Sequence, residues 1–225
     1  MKLLALDTAT EACSAAVLVD TEVIERYALA PRGHAELILP MLEAVLAEAG
    51  LRIHQLDTLA FGRGPGAFTG IRIATAVVQG IAFAADLPVV PISTLAAIAR
   101  GVMDRQGIAR VAVALDARLN EVYWGTYKAA SDGDVILLGQ EQVCTPLTAT
   151  LAEEGDWFGA GSGWVVHGES LGKQLGVHTW WGECYPRAGD IARLGARAWQ
   201  RGERVSAEQA LPVYLRDEVI KKTLL

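Results

Sequence analysis

Two short turns carry residue types that can bind phosphate or a divalent cation, and each follows an apolar run typical of a buried strand. The first turn offers the carboxylate of Asp7 and the hydroxyls of Thr8 and Thr10, which are ligands for magnesium or phosphate. The second turn, residues 116–119, has neither a glycine nor a hydroxyl that would let phosphate approach its backbone amides. A turn aspartate also accepts hydrogen bonds from its own backbone. The pattern leaves both roles open for Asp7, as part of a vestigial phosphate turn or as a turn cap, and favours the structural role for Asp116.

A glycine-rich segment, residues 62–72, matches neither of the common phosphate-binding patterns. It lacks the Lys-Ser/Thr ending of a P-loop and the glycine spacing of a dinucleotide-binding turn. Its glycines permit positive φ and close backbone approach, Pro65 stiffens the turn, and Thr69 is predicted to cap the helix that follows. Residues 159–163 also fail the dinucleotide spacing, because Trp164 occupies the last glycine position. We therefore expect both segments to shape the backbone and not to bind nucleotide.

The histidines and serines form no recognisable catalytic pattern. No His-x-x-x-His or His-Glu-x-x-His arrangement joins the four histidines, which are His34, His54, His167 and His178. Ser162 lacks the flanking glycines of a hydrolase nucleophile turn, and no spacing pairs a serine with a histidine. The sequence therefore predicts no catalytic residue and no metal site, and it disfavours a peptidase.

The composition predicts a folded, acidic protein. Of the 225 residues, 52% are hydrophobic and 20% charged, which is enough apolar material for one large core or two modest ones. The formal net charge of -6 argues against a chain that binds nucleic acid alone, so any RNA contact would need a basic partner. The basic residues Arg216, Lys221 and Lys222 could contact RNA or a partner protein, but their acidic neighbours favour a solvated chain end.

Cysteine spacing and apolar run lengths predict a cytoplasmic location. The three cysteines, Cys13, Cys144 and Cys184, are far apart without Cys-x-x-Cys spacing, which favours reduced thiols in a cytosolic protein. The apolar run at the start ends at Asp7, and the run over residues 73–85 is interrupted by polar residues. We therefore expect no association with a membrane.

Apolar periodicity predicts sheets covered by helices. In the first half we expect, in chain order, strands at 2–7, 13–19 and 22–29, a helix at 34–49, a strand at 58–61, a helix at 69–85, a strand at 88–91 and a helix capped by Ser93. Pro40 is expected to kink the 34–49 helix, and Gly50 is expected to end it.

The pattern restarts near residue 105, where residues 113–116 (Val-Ala-Leu-Asp) repeat residues 4–7 (Leu-Ala-Leu-Asp). The second half is predicted to contain strands at 121–130, 135–138 and 157–159 and helices near 147–154, 167–175 and 190–201. This predicts a duplicated βββαβα-type unit, with an N-terminal lobe at 1–105 and a C-terminal lobe and tail at 106–225.

A duplicated unit of this kind, each half opening with a strand, an acidic turn and a hairpin, resembles the actin, hexokinase and Hsp70 ATPase superfamily. The resemblance implies an α/β, ribonuclease H-like fold with two lobes, in which the two acidic turns face each other across a nucleotide cleft. It also raises one alternative function, that of an independent ATP-dependent kinase.

Several segments together resemble the TsaB (YeaZ) family, bacterial proteins needed to make threonylcarbamoyladenosine in tRNA and relatives of the catalytic subunit TsaD. The resemblance spans essentially the whole chain and is carried by residues 6–10 (Leu-Asp-Thr-Ala-Thr), 62–72, 116–118 with 121–123, and 212–216 (Pro-Val-Tyr-Leu-Arg). A TsaD-type protein has metal-binding histidines after the strand that follows its second helix, where this chain has residues 92–98 without a metal ligand. The resemblance therefore implies the non-catalytic paralogue.

The family resemblance implies a scaffold or activator that pairs with a TsaD-type catalytic subunit and is joined by a TsaE-type ATPase. The assembly would transfer a threonylcarbamoyl group from its adenylate to the adenosine beside the anticodon of tRNA. It implies no cofactor held tightly by this chain alone, with ATP or ADP bound within the complex. A homodimer in the absence of the partner is left open, because an apolar interface can also fit itself.

The helix predicted at 69–85 is apolar almost all round and must be covered on both faces. A sheet would cover one face, and the other needs either the 34–49 helix or a second protein, so a core role and an interface role both stay open. The resemblance implies pairing through both helices. The residues expected at that partner interface are His34, Ile38, Met41, Leu42, Val45, Ile73, Val77 and Ile81.

Overall fold

The first sheet joins an antiparallel meander to a parallel pair, as seen in a computed structural model that describes residues 1–216. Its five strands are β1 (Lys2–Asp7), β2 (Ala12–Val19), β3 (Glu22–Leu29), β4 (Thr58–Gly62) and β5 (Val89–Ile92). They lie in the order β3-β2-β1-β4-β5, with β1 antiparallel to β2 and parallel to β4. Both faces of β1 and β4 are buried, and for this reason these strands are continuous apolar runs.

The second sheet repeats this topology. Its strands are β6 (Arg110–Asp116), β7 (Val122–Ala129), β8 (Val135–Cys144), β9 (Phe158–Ala160) and β10 (Trp180–Trp181). The order is β8-β7-β6-β9-β10, with β6 antiparallel to β7 and parallel to β9. Since β1 and β6 hold the same place, the repeat of residues 4–7 in 113–116 is structural. The predicted α/β fold, a duplicated actin-like and ribonuclease H-like unit with two lobes, is confirmed.

Five α-helices cover these sheets within residues 1–216: α1 (His34–Glu48), α2 (Phe68–Ala85), α3 (Thr94–Gln106), α4 (Ser162–Leu175) and α5 (Ala188–Gln200). α1 and α2 lie on one face of the first sheet, where Val45 and Val78 are buried with the strand residue Phe61. α4 lies on the matching face of the second sheet, where the indole of Trp164 is buried and donates to the backbone of Ala112 at 2.9 Å.

The two remaining helices are exchanged between the lobes. α3 comes from the first half of the chain but packs on the second sheet, where Leu95 and Ile98 are fully buried. α5 comes from the second half but packs on the first sheet, where Ile191 is fully buried. The two helices also meet, and Nη1 of Arg105 donates to Oδ2 of the buried Asp190 at 3.2 Å. Each sheet therefore needs a helix from the other half of the chain to complete its core.

Most predicted elements of the first half are confirmed. The three opening strands form at the expected places, and the Ser93 hydroxyl caps α3 by accepting from Leu95 N at 3.1 Å. The predicted cap at Thr69 is wrong, because α2 begins one residue earlier, at Phe68, with Ala67 in the cap position. The division of the chain between residues 105 and 106 stays a prediction.

The second half departs further from the sequence pattern. The helix predicted near 147–154 is wrong, because only a short 3-10 turn, Pro146–Thr148, forms there. After it, Gly155 has φ 143° and the carboxylate of Glu153 pairs with Arg110 at 2.8 Å, which holds the segment as a loop. β8 runs to Cys144, well beyond the predicted end, and α4 begins at Ser162 and not near residue 167.

α2 is unusually apolar for a helix on the outside of a lobe. Its 18 residues have a mean hydropathy of 1.5, which meets the length and composition requirement of a membrane-spanning helix, as the core helices of many soluble proteins also do. Six of those residues are buried in this chain: Gly70, Ile71, Ala74, Thr75, Val78 and Ala82. The expectation of no membrane association stays a prediction.

We predict that residues 1–106, expressed alone, will not unfold cooperatively, because the face of the first sheet that α5 covers would be exposed to water. Circular dichroism during urea unfolding measures this. Co-expression with residues 107–225 is the control and should restore one cooperative transition. A sharp transition for 1–106 alone would show that the first lobe does not depend on α5.

Candidate functional site

The turn that follows β1 packs directly against the glycine-rich segment. The hydroxyl of Thr8 donates to the carbonyl oxygen of Gly70 at 2.7 Å. In the opposite direction, the backbone N–H of Ala67 donates to the carbonyl oxygen of Ala9 at 2.7 Å. Residues 62–72 therefore pack with their backbone directly against the backbone of residues 7–10.

Glycine is required where these two backbones meet. A Cβ added to Gly70 would lie 2.0 Å from the carbonyl oxygen of Thr8, and one added to Gly66 would lie 2.3 Å from that of Ala9. Both distances are shorter than any real contact of a Cβ atom, and the opposing atoms belong to the backbone and cannot rotate away. The expectation that these glycines serve close backbone approach is confirmed.

Asp7 lies at the centre of this contact and is fully buried. Its Oδ1 accepts a hydrogen bond from Ala9 N at 2.9 Å, while its Oδ2 is enclosed next to Gly62 and has no partner within residues 1–216. Burial raises the pKa of the Asp7 carboxyl to about 7, and the bond from Ala9 offsets only part of this rise. The carboxyl therefore acts as a cap of its own turn and is not exposed to a ligand.

The phosphate role expected for Asp7 and Thr8 is corrected by that burial, while for Thr10, which lines a cleft between the lobes, it stays a prediction. The carboxylate of Asp7 and the hydroxyl of Thr8 are fully buried, and this hydroxyl already donates to Gly70. Thr10 is also buried, and its hydroxyl accepts from Ala12 N at 3.3 Å. Among residues 1–216, no group of three or more His, Cys, Asp or Glu side chains could hold a metal ion.

A cleft of about 390 Å³ does separate the two lobes above this closed turn. Asp116 lines its far side, where Oδ1 accepts from Arg118 N at 2.9 Å and Oδ2 lies 3.1 Å from the guanidinium of Arg118. The structural role favoured for Asp116 is confirmed. The cleft is also lined by the carboxylates of Glu11 and Glu183, whose negative charge opposes the binding of a polyphosphate.

Four of the eight residues expected at a partner interface belong instead to the core. His34, Ile38, Leu42 and Val45 are buried between α1 and the first sheet. The apolar stripe of a surface helix faces its own sheet, and on α1 Ile38, Leu42 and Val45 belong to that stripe while His34 is a buried polar residue at its start. The interface assignment of these four side chains is corrected for this reason.

The other four expected interface residues lie at the edge of the core. Met41, Ile73, Val77 and Ile81 are half-buried and pack against the first lobe's core, so part of each side chain reaches the surface. Their assignment to an interface stays a prediction.

The open face of α2 consists mainly of small residues that the sequence pattern did not single out. Ala76, Gly80 and Ala84 are exposed, and the neighbouring Phe83 is 77% exposed. A Cβ added to Gly80 would have no heavy atom within 4 Å. The four-residue spacing of these three small residues is the signal that could have identified the face from sequence.

An aromatic and cationic cluster lies at the first turn of α2. The guanidinium of Arg72 lies 3.6 Å from the ring centroid of Phe68, and its Nε donates to the hydroxyl of Tyr214 at 2.9 Å. Phe68 is 56% exposed, so the cluster extends the open face of α2. The tail then reaches the second lobe, where Arg216 pairs with Glu121. Lys221 and Lys222, also expected in the basic tail, lie outside the described residues.

The buried carboxyl of Asp7 predicts a pH-dependent stability. A carboxyl whose pKa rises from 3.8 in the unfolded chain to about 7 in the folded chain stabilises the protein below pH 3.8, and this contribution is lost as pH rises to about 7. The free energy of unfolding should therefore fall by roughly 2 to 3 kcal/mol between pH 5 and pH 8 through this group alone. Asp7→Asn should remove that part of the slope, as measured by urea unfolding at each pH.

Asp156→Asn is the matched control, because Asp156 is exposed and its side chain makes no hydrogen bond within residues 1–216. It should leave the pH slope of the wild-type chain unchanged. If Asp7→Asn and the wild type show the same slope between pH 5 and pH 8, the carboxyl of Asp7 does not titrate in this range.

Comparison with known proteins shows full-length relatives. Residues 19–147 match the family described as TsaD, tRNA N6-adenosine threonylcarbamoyltransferase. The chain is 39% identical to the tRNA threonylcarbamoyladenosine biosynthesis protein TsaB of Escherichia coli (strain K12), covering 100% of this chain and 98% of that protein. It is 41% identical to the TsaB protein of Haemophilus influenzae, covering 100% and 97%.

A solved structure of similar sequence also has the same fold as this chain. The structure described as YeaZ from Pseudomonas aeruginosa is 47% identical and superimposes with a TM-score of 0.90, covering 95% of this chain and 99% of that chain. Both the sequence and the fold thus match over nearly the full length. The chain belongs to the TsaB (YeaZ) family.

Proposed function

We propose that this chain is a non-catalytic scaffold or activator subunit in the modification of tRNA to threonylcarbamoyladenosine. Its relatives carry the name of that pathway, and residues 19–147 match the TsaD transferase family. The proposed complex transfers a threonylcarbamoyl group to the adenosine next to the anticodon. In it, this chain acts with a TsaD-type catalytic subunit and a TsaE-type ATPase.

The open face of α2 is the observation that carries this proposal. An 18-residue apolar helix with only six buried residues leaves a large apolar surface in water, and such surfaces usually mark protein interfaces. The small side chains at Ala76, Gly80 and Ala84 leave room for another helix to approach that face closely. Phe83 lies beside them as an exposed aromatic anchor.

The chemistry of the described residues supports a non-catalytic role. The carboxyl of Asp7 is sealed under residues 62–72, and Asp116 is held by its own turn. Neither aspartate offers a free carboxylate to magnesium, which weakens the alternative of an independent kinase. We propose that this chain alone binds no cofactor tightly and that ATP or ADP is bound within the complex. We also propose that it contacts tRNA only through the complex, in the cytoplasm.

Gly80→Arg should weaken binding of a purified TsaD-type protein from the same organism at least about tenfold, because a long charged side chain would stand in the centre of the apolar face. The empty space around Gly80 means that the change should not disturb the fold. Phe83→Glu tests the same face at a second position. Calorimetric titration measures the affinity, and thermal unfolding confirms the fold of each variant.

Val166→Glu is the matched control, since Val166 is an equally apolar residue of α4 and is 59% exposed on the other lobe. It should bind the TsaD-type protein like the wild type. Equal affinity for all four proteins would remove the α2 face from the interface. Met41 and Val77 are poorer test sites, because charges there would also disturb the core.

Reconstitution tests the function itself. The purified chain should transfer no threonylcarbamoyl group to tRNA alone, and it should raise transfer by the TsaD-type and TsaE-type proteins at least about tenfold, roughly 1.4 kcal/mol in barrier height. Nucleoside analysis of the tRNA by mass spectrometry measures this. Full transfer in the absence of this chain would contradict the activator role.

A further inference from the structure

A second cavity, of about 220 Å³, lies between the lobes and shares no lining residue with the cleft above the Asp7 turn. Its walls come from both halves of the chain. Arg63 follows β4 and Ser93 follows β5, while Tyr127 and Glu141 lie on β7 and β8 of the second sheet. The sequence pattern assigned no role to any of these four side chains beyond the cap at Ser93.

Arg63 brings an unneutralised positive charge to this cavity. Its backbone is held on both sides, because its N–H donates to Ile92 at 2.8 Å and its carbonyl oxygen accepts from Val213 N at 2.8 Å. Its side chain makes no hydrogen bond or ion pair within residues 1–216, and its Nε is fully enclosed. Arginine side chains that leave water are normally paired with an anion. Among residues 1–216, the guanidinium of Arg63 thus has no anionic partner.

Glu141 brings the opposite charge, with one of its two oxygens free. The hydroxyls of Ser93 and Tyr127 both donate to Oε1 of Glu141. Burial, followed by the nearby charge of Glu141, raises the pKa of Tyr127 well above its usual range, so its hydroxyl stays protonated and remains a donor. No donor within residues 1–216 reaches Oε2, which is not enclosed by protein. This oxygen can accept from a ligand in the cavity.

A separate ion cluster at the rim of the cavity uses neither Arg63 nor Glu141. Arg201, at the end of α5, pairs with Asp134 of the β7–β8 hairpin and with Glu203. Arg63 and Glu141 do not pair with each other, although both line the same space. Arg63 and Glu141 thus come from different lobes and each keeps an unpaired polar group, while the Arg201 cluster adds one net negative charge to the rim.

We propose that this cavity binds a small zwitterion of the free α-amino acid class, with the ligand carboxylate on Arg63 and the ligand ammonium on Glu141. A guanidinium recognises a carboxylate through two parallel hydrogen bonds, and a free carboxylate oxygen recognises an ammonium. The volume exceeds the roughly 30 Å³ that one water occupies in the liquid, so a ligand of several heavy atoms can enter. A phosphate dianion is disfavoured because it would meet the charge of Glu141.

The probes for this site are L-alanine, L-serine and L-threonine as zwitterions, acetate and methylamine as the separate halves, and inorganic phosphate. Each probe is titrated into the ¹⁵N-labelled full chain, and the NMR chemical shifts of two backbone amides are recorded. The amide of Gly64 reports binding beside Arg63, and the amide of Thr94 reports binding at the start of α3. At least one amino acid should saturate these shifts. Acetate and methylamine should each bind at least about tenfold more weakly, since each makes only one of the two charged contacts.

Arg63→Met and Glu141→Gln should each weaken amino-acid binding at least about tenfold, and Arg110→Met, which removes an arginine outside the cavity, should not. If Arg63→Met does not fold, Arg63→Lys, which keeps the positive charge but lacks the guanidinium, replaces it as the test variant. No saturable shift with any of the three amino acids would overturn the proposal. So would acetate or phosphate binding as tightly as the amino acids, or full binding by folded Arg63→Met.

Discussion

Contact between two backbones, that of residues 62–72 and that of residues 7–10, is the constraint on which the rest of the first lobe depends. The N–H of Ala67 and the carbonyl oxygen of Gly70 are both bonded to this turn, and both lie at the start of α2. The contact therefore fixes where α2 begins and which of its faces meets the sheet. The same contact buries Asp7, so one packing event encloses this carboxyl and orients the open face of α2.

The exchange of α3 and α5 extends this dependence to the whole molecule. Because each sheet is completed by a helix from the other half, the lobes cannot change their relative position without moving a helix that belongs to the opposite core. The bond from Arg105 to Asp190 and the pairing of Arg201 with Asp134 add polar ties at this junction. A cavity between the lobes is consequently a pocket with fixed walls, as a selective site for a small ligand requires.

Local signals in the sequence were sufficient for most elements of the first half and for the duplication. The apolar runs ending in Asp7 and Asp116, the hairpins after them and the cap at Ser93 each depend on neighbours in the chain, and each forms as expected. The exchange of α3 and α5 could not be predicted this way, since an apolar stripe shows that a helix face is buried but not which sheet buries it.

The same limit applies to the candidate site. The burial of Asp7 depends on Gly62 and Gly70, which are distant in the chain, and no local pattern reports that contact. On α1 the sequence could not distinguish Ile38 and Val45, which face the core, from residues that face a partner, because both kinds of surface are apolar.

The row of small residues on α2 has a geometric consequence for whatever covers it. Helix axes usually pack about 8 to 10 Å apart, and the lower end of that range is reached only where the side chains at the crossing are small. With Ala76 and Gly80 at the crossing point, a helix laid on α2 can approach until backbone atoms nearly touch. Such an approach favours a covering helix that also carries glycine or alanine at its crossing point. The α2 face would therefore discriminate between helices by the interaxial distance that their side chains allow, independently of their charge.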